Sequence, residues 1–228
     1  MKTKVLVVDD SVSIRDFVSK NLAARDYDVF TSGNGLEALA IFDSQSIDLI
    51  ILDIMMPQLD GFETARRIRA FSRVPIIVLT AMGAESDKVN AFNIGVDDYL
   101  TKPFGVGELL GRVNAVLRRS KWNDHEPSTE KLIRGDISVD LIRHEVSVAG
   151  RMVDLTPIEF SLLVYLMNNA GKMLTHMDIL HNVWGPEYGY EVEYLRVYIG
   201  HLRQAIEKYP LKPEYILTKR GIGYIFDK

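Results

Sequence analysis

Acidic residues end two apolar stretches of the sequence. Val5–Val8 run directly into Asp9 and Asp10. Leu49–Leu52 run into Asp53. A short, continuous apolar run suits a strand that is buried on both faces of a parallel sheet, and open α/β sheets bind ligands at the carboxyl ends of their strands. If the two strands are neighbours, three carboxylates converge there, and such a cluster of like charges favours a hard cation with oxygen ligands such as Mg²⁺.

Two further stretches end in residues that suit a phosphoryl group. Ile76–Leu79 precede Thr80, and Asp98–Thr101 precede Lys102. A hydroxyl and an ammonium beside Mg²⁺ and a carboxylate form a constellation for phosphoryl transfer, in which Asp53 accepts the phosphoryl group. A single acid after a strand is commonly only a turn residue or a helix cap. Five strand-end residues at successive strand–helix spacing are hard to explain in that way.

Helical patterns alternate with these strands over the first half of the chain. Ser13 and Asp16 resemble a capping box at the start of the first helix, and Gly95 marks the end of the fourth. Five strand–helix units joined by short loops predict a five-stranded, parallel, doubly wound sheet with right-handed connections.

The motifs at the strand ends also resemble one family. The resemblance to the receiver domain of bacterial two-component response regulators covers residues 2 to about 120 and lies in Asp9-Asp10, Asp53-Ile54-Met55-Met56-Pro57, Thr80-Ala81 and Lys102-Pro103-Phe104. It implies a flavodoxin-like fold, a sensor histidine kinase as partner and Asp53 as phosphoacceptor. It also implies Mg²⁺ bound by Asp10, Asp53 and the backbone carbonyl of Met55, with Asp9 assisting through water.

The same resemblance implies a switch and a dimer. Thr80 and Lys102 would sense the phosphoryl group, and Tyr99 would change rotamer as Thr80 moves. Similar receivers form homodimers through the fourth helix, fifth strand and fifth helix. We predict three ion pairs across that two-fold interface: Lys88 with Glu108, Asp98 with Arg112, and Asp97 with Arg119. Exposed pairs contribute only about 0–1 kcal/mol each, so they would set orientation more than affinity.

A polar stretch divides the chain. Residues 121–131 contain Pro127 and lack periodicity, so they are predicted to link a domain of residues 1–120 to a domain of residues 132–228. In the second domain, alternating segments predict a small antiparallel sheet over Asp136–Asp140, His144–Val148 and Arg151–Leu155. Helices are predicted to begin after Thr156 and after Thr175.

The third helix of this domain, Val192–Lys208, has one apolar face and one free face. Its apolar stripe consists of Leu195, Ile199, Leu202 and Ile206. By itself such a helix is commonly only a surface helix with a solvated face. The tail adds a hairpin with a basic tip at Lys219 and Arg220, and a helix pair with a free helix face and a basic hairpin predicts a winged helix-turn-helix.

The second half also carries a resemblance, from about Leu132 to Phe226. The motifs Leu155–Phe160, Val183-Trp184-Gly185, His201-Leu202-Arg203 and Gly221–Tyr224 are similar to the effector domain of the OmpR/PhoB class. Within that class, Asn168–Lys172 and Tyr194–His201 look most similar to the Kdp-type regulators of potassium-uptake genes. The resemblance implies binding to double-stranded promoter DNA, with RNA polymerase contacted through the loop Gly185–Tyr190. Arg196 and Gly200 depart from the class pattern, which has an acid and a basic residue there, so an operator sequence does not carry over.

We predict the DNA contacts from the placement of side chains on the third helix and hairpin. Val197, His201 and Gln204 would face base edges, Arg203 and Arg196 would hold phosphates, and Lys219 or Arg220 would reach the minor groove. Tyr194 and Tyr198 complete the predicted contact set.

Composition excludes several classes of site and partner. Cysteine is absent, which rules out disulfides and thiolate zinc sites, and the five histidines form no spaced ligand set. Residues 1–120 carry 14 basic against 16 acidic side chains and residues 121–228 carry 13 against 15, so nucleic acid must be bound by a local patch. Neither a membrane-length apolar run nor a signal peptide is apparent, and the protein is expected to be cytoplasmic, without a membrane partner.

Two alternative functions compete with a DNA-binding regulator. A Mg²⁺-dependent aspartyl-phosphate hydrolase usually needs a second acid two residues after its nucleophile, and that position is Met55. A nucleotide site at Gly221-Ile222-Gly223 lacks a third glycine and a following helix. We therefore predict no enzyme activity beyond the protein's own Mg²⁺-dependent phosphotransfer and autodephosphorylation.

Overall fold

A computed structural model describes residues 2–81, 85–120, 131–186, 188–189 and 191–227, without the side chains of residues 85–89. The chain divides into two compact units, Met1–Ser120 and Lys121–Lys228. The predicted linker, residues 121–131, lies outside the described residues except for Lys131, which begins a strand.

The first unit is a five-stranded parallel sheet with the strand order β2-β1-β3-β4-β5, so the predicted doubly wound topology is confirmed. The strands are β1 (Lys4–Val8), β2 (Asp28–Ser32), β3 (Leu49–Asp53), β4 (Ile76–Ala81) and β5 (Asp98–Lys102). The helices are α1 (Val12–Ala23), α2 (Gly35–Ser44), α3 (Gly61–Arg69), α4 (Glu85–Ile94) and α5 (Val106–Ser120).

Strand β3 lies in the middle of this sheet, and all five of its residues are buried. Its register pairs Leu52 with Val8 of β1 and Asp53 with Leu79 of β4. Each fully buried aliphatic side chain stabilises the fold by about 1.5–3 kcal/mol. The apolar runs that predict the strands thus also make the sheet a firm support for the polar residues that follow them.

The first helix differs from its predicted start. The sequence predicts a capping box from Ser13 to Asp16, whereas α1 begins at Val12 with Ser11 in the N-cap position. The Ser11 hydroxyl lies 2.8 Å from the Ser13 hydroxyl, and the Ser11 amide donates to Asp9 Oδ1 at 2.9 Å. The predicted box is wrong because the carboxylate of Asp9, outside the local pattern, binds the backbone where the helix begins.

The described residues of the second unit form two antiparallel sheets and three helices. One sheet has the order β6-β7-β8-β9 and the other has the order β10-β12-β11. The strands are β6 (Lys131–Arg134), β7 (Ile137–Asp140), β8 (Glu145–Val148), β9 (Arg151–Val153), β10 (Met173–Thr175), β11 (Ile216–Lys219) and β12 (Gly223–Phe226). The helices are α6 (Pro157–Asn168), α7 (His176–Val183) and α8 (Val192–Ile206).

Local sequence predicts these helices well and two of the strands poorly. Thr156 and Thr175 each cap a helix through a capping box. Strands β6, with four residues, and β10, with three, are missing from the prediction. In the structure they pair with β7 and β12.

Helix α8 buries its predicted apolar stripe, Leu195, Ile199, Leu202 and Ile206. In the described part of the chain, none of the helices has the length and apolar content that crossing a bilayer requires.

Candidate phosphoacceptor site and nucleic-acid interface

Three carboxylates meet where β1 and β3 end. One oxygen from each of Asp9, Asp10 and Asp53 lies within 4.8 Å of the others. Asp9 and Asp53 are buried, whereas Asp10 is exposed. The predicted convergence follows from the parallel pairing of the two strands, and an oxygen-only set that is open on one side fits a hard divalent cation.

Lys102 reaches this cluster from the end of β5. Its Nζ atom lies 2.7 Å from Asp9 Oδ2 and 3.0 Å from Asp53 Oδ1. Burial by itself lowers the pKa of Lys102, but the hydrogen bonds and charges of the two carboxylates outweigh burial and raise it. Lys102 therefore stays cationic between the two acids. Its ammonium lies where it can balance negative charge on Asp53.

The surroundings of Asp53 disfavour the ionised form of its carboxyl group. Burial raises the pKa of this carboxyl, and the nearby charge of Asp9 raises it further, while Lys102 and a hydrogen bond from the Met55 backbone lower it. The net effect is a raised pKa. A cation bound beside Asp9 and Asp10 would favour the ionised, nucleophilic form of Asp53.

The other predicted receiver residues lie around this cluster. The side chain of Met55 is 69% exposed, which agrees with a role for its backbone alone. Thr80 is buried at the end of β4, and its hydroxyl donates to the Ala81 carbonyl at 3.2 Å. Tyr99 is buried, with its ring edge-on to Phe92 at 5.9 Å between centroids.

Gly61 belongs to the site although the sequence predicts only a turn there. A Cβ atom at this position would lie 2.1 Å from the carbonyl oxygen of Asp53. The Gly61 amide donates to the Ile54 carbonyl at 2.9 Å, and Asp60 caps α3 through the Glu63 amide at 2.7 Å. Helix α3 thus begins in contact with the backbone of Asp53, which requires a residue without a side chain.

The acids proposed for the dimer interface are bound within the chain. Asp97 accepts from Arg69 at 3.0 Å and from the Ile76 amide at 2.9 Å, and both charged side chains are nearly buried. The predicted partnership of Asp97 with Arg119 is therefore corrected. Successive residues of an extended chain face opposite sides of the sheet. Asp97 therefore faces α3, whereas Asp98 faces α5.

Asp98 lies on the α5 side, where Arg112 donates to it at 2.9 Å and Arg119 lies 3.9 Å away. Arg112 also contacts Glu108 at 3.4 Å. The predicted pair of Asp98 and Arg112 thus occurs inside one chain. The side chain of Lys88 lies outside the described residues.

Two tyrosines predicted to contact DNA belong to the core of the second unit. Tyr198 is fully buried and its ring lies 5.3 Å from that of Trp184. Tyr194 is 7% exposed. Their prediction as DNA contacts is wrong, because each precedes a residue of the apolar stripe and widens the buried face of α8.

His201 and Arg203 are tied to neighbouring elements. His201 Nδ1 lies 3.0 Å from Glu159 Oε1 of α6. Burial raises the pKa of Glu159, but hydrogen bonds from His201 and Thr156 together lower it below its usual range. Arg203 donates to Ile216 of β11 at 3.1 Å and 2.5 Å.

The remaining predicted DNA contacts are accessible. Arg196 and Gln204 are exposed on α8, with Arg196 paired to Glu193, and Val197 is half-buried. A Cβ atom on Gly200 of the same face would meet nothing within 4 Å. The exposed residues of the β11–β12 turn include Lys219 and Arg220.

Both units match known families. Residues 5–114 match the response regulator receiver domain, and residues 150–226 match the family described as transcriptional regulatory protein, C terminal. The chain is 44% identical to the KDP operon transcriptional regulatory protein KdpE of Escherichia coli K12, over 98% of this chain and 99% of that one. It is 39% identical to the sensory transduction protein RegX3 of Mycolicibacterium smegmatis, over 97% and 98% of the two chains.

A solved structure gives a third comparison. The response regulator DrrB, an OmpR/PhoB homologue from Thermotoga maritima, matches the whole of both chains with 32% identity and a TM-score of 0.53.

Proposed function

The chain belongs to the two-component response regulators that join a receiver domain to an OmpR/PhoB-type DNA-binding domain, and we propose that phosphorylation of Asp53 by a sensor histidine kinase controls its binding to promoter DNA. The observation that carries this proposal is the bonding of Lys102 to Asp53 and Asp9 inside the carboxylate cluster. The relative KdpE is a transcriptional regulatory protein, and RegX3 is a sensory transduction protein.

In the proposed reaction, a carboxylate oxygen of Asp53 attacks the phosphorus of a kinase phosphohistidine. A phosphorus–oxygen bond forms, the phosphorus–nitrogen bond breaks, and the electron pair leaves with the imidazole. Lys102 offers an ammonium to the transferring group without having to move into the site. Asp10, Asp53 and the Met55 carbonyl would hold Mg²⁺, with Asp9 assisting through water. When bound, the ion would neutralise charge on the phosphoryl oxygens.

The new phosphoryl group brings about 1.5 to 2 negative charges at neutral pH. Lys102 and the Thr80 hydroxyl are the proposed sensors, because they lie at the carboxyl ends of β5 and β4, two strands on the same side of β3. Movement of Thr80 would alter the space beside Tyr99, and the α4-β5-α5 face would then form the homodimer. The phosphorylated dimer would bind promoter DNA in the cytoplasm and contact RNA polymerase.

We also propose potassium-transport genes among the targets. The support is the 44% identity to KdpE along nearly the whole chain. A binding motif, selected from random DNA, that is missing upstream of such genes in the same genome would contradict this target.

Replacing the phosphoacceptor tests the function directly. Asp53→Asn keeps the shape of the side chain and removes its charge, so we predict loss of label uptake from a radiolabelled phosphodonor with Mg²⁺. Asp43→Asn, at an exposed position of α2, is the matched control and should be labelled like the wild type. Equal labelling of Asp53→Asn would show that the phosphoryl group goes elsewhere.

A further inference from the structure

The hairpin β11–β12, here called the wing, is tied to the end of α8 by a buried carboxylate. Glu207 follows the last residue of α8 and is buried. Its two oxygens accept three successive backbone amides, from Glu214 at 2.8 Å and from Tyr215 and Ile216 at 2.9 Å each. Hydrogen bonds to an ionised group are the stronger kind, so Glu207 fixes the segment that leads into the wing.

Arg203, one turn earlier on α8, binds the same strand at the carbonyl of Ile216 and the hydroxyl of Thr218. Its guanidinium donates to the Ile216 carbonyl at 3.1 Å and 2.5 Å and to the Thr218 hydroxyl at 2.8 Å. It also lies 6.0 Å from the ring centre of Tyr224 in β12. The amide of Ile216 is therefore bound by Glu207 and its carbonyl by Arg203, and both strands of the wing contact the arginine.

We propose that Arg203 and Glu207 are positioning residues that hold the wing at a fixed place relative to α8. Helix and wing would then bind DNA as one rigid body, an inference that rests on the proposed DNA-binding function. The bonds of Arg203 and Glu207 to the wing are here called the tether. Because Lys219 and Arg220 follow Thr218 directly, the tether sets where the basic tip lies when α8 enters a major groove. The Nε and Nη2 groups of Arg203 are directed at the wing, which gives this residue a role besides the phosphate contact predicted from sequence.

The tether is measurable without DNA, by amide hydrogen exchange of the full-length protein. Arg203→Lys keeps the charge but loses the planar fork, and Glu207→Gln keeps the shape but loses acceptor capacity. Each should raise exchange of the β11 amides about tenfold through local opening. Gln204→Ala, at an exposed position of the same helix, should leave that exchange unchanged. Unchanged exchange in both tether variants would overturn the proposal.

DNA binding supplies the second measurement, on the duplex that the wild type enriches from a random pool. Arg203→Lys and Arg220→Ala should each weaken binding about tenfold, and the double variant should be little weaker than either single one, since both act through the wing. Gln204→Ala combined with Arg220→Ala should instead give the product of the two losses.

The competing role for Arg203 predicts different results. A direct phosphate contact would be retained largely by lysine, so near-wild-type binding by Arg203→Lys would overturn the proposal. The proposal would also be overturned if the affinity loss of the Arg203→Lys, Arg220→Ala double variant equalled the product of the two single losses. If the wild type enriches no duplex, the proposed function fails, and hydrogen exchange still decides whether the tether exists.

Discussion

At the scale of single residues, sequence predicts the position of a side chain well where that side chain follows an apolar run. Asp9, Asp53 and Thr80 are found at strand ends because the strands themselves are readable from the chain. Tertiary partners are not readable in that way. Helical periodicity puts His201 on the free face of α8, but only the fold brings it to Glu159, 42 positions away.

The His201–Glu159 contact leads to a prediction for stability. His201→Ala leaves a buried carboxylate with fewer partners, so we expect a loss of about 1–3 kcal/mol in the free energy of unfolding at neutral pH. Because contacts lower the pKa of Glu159 in the folded state, its contribution is complete above the usual carboxyl pKa and is lost as pH falls through the lowered value.

Thermal unfolding at several pH values measures this effect. The difference between His201→Ala and wild type should be largest near neutral pH and should shrink in acid. Gln204→Ala, exposed on the same helix, should unfold like the wild type. A pH-independent difference would mean that Glu159 is not the cause.

At the scale of elements, strands with an apolar run or a clear alternation are predictable, whereas the short strands β6 and β10 are not. The parallel, doubly wound arrangement of the first unit follows from its alternating strands and helices. Strand β10 becomes a strand only against β12. The charged residues predicted for the dimer interface show the same limit of sequence-based prediction. Asp97 pairs with Arg69 of its own chain, and this pairing depends on the fold.

Helix α5 gives a prediction at this scale. Arg112 contacts Asp98 and Glu108 within its own chain, and the proposed dimer uses the same face. Arg112→Glu should therefore lower the dimer fraction of the phosphorylated protein several-fold in sedimentation, because it places three acids together. Arg118→Glu makes the same charge change at an exposed position of α5 and should sediment like the wild type. Identical behaviour of the two variants would exclude this interface.

At the scale of the whole molecule, the DNA-binding unit has no excess of basic side chains, with 13 basic against 15 acidic in residues 121–228. We therefore expect a single unit to be a weak ligand for DNA, because few cations are available to replace counterions. Linking two units raises the effective concentration at a second half-site, with gains of about 10²–10⁴ in affinity. Phosphorylation is proposed to make that link.

We therefore predict that the phosphorylated wild type binds a duplex with two half-sites about 100-fold more tightly than Asp53→Asn does. A duplex with a single half-site is the control, on which both proteins should bind equally, because the DNA-binding surface is the same. Titration of labelled duplexes measures both. Equal affinities on the two-site duplex would contradict control by dimerisation.

Gly200 lies on the face of α8 that is proposed to contact DNA, and this position can accept a larger residue. Glycine within a helix costs about 1 kcal/mol relative to alanine, and a Cβ atom here would meet nothing within 4 Å. A change to alanine is thus expected to strengthen α8 and to add a methyl group to the face that is proposed to contact DNA. After a gene duplication, one codon change could give the two copies different promoters while leaving their phosphorylation chemistry alike.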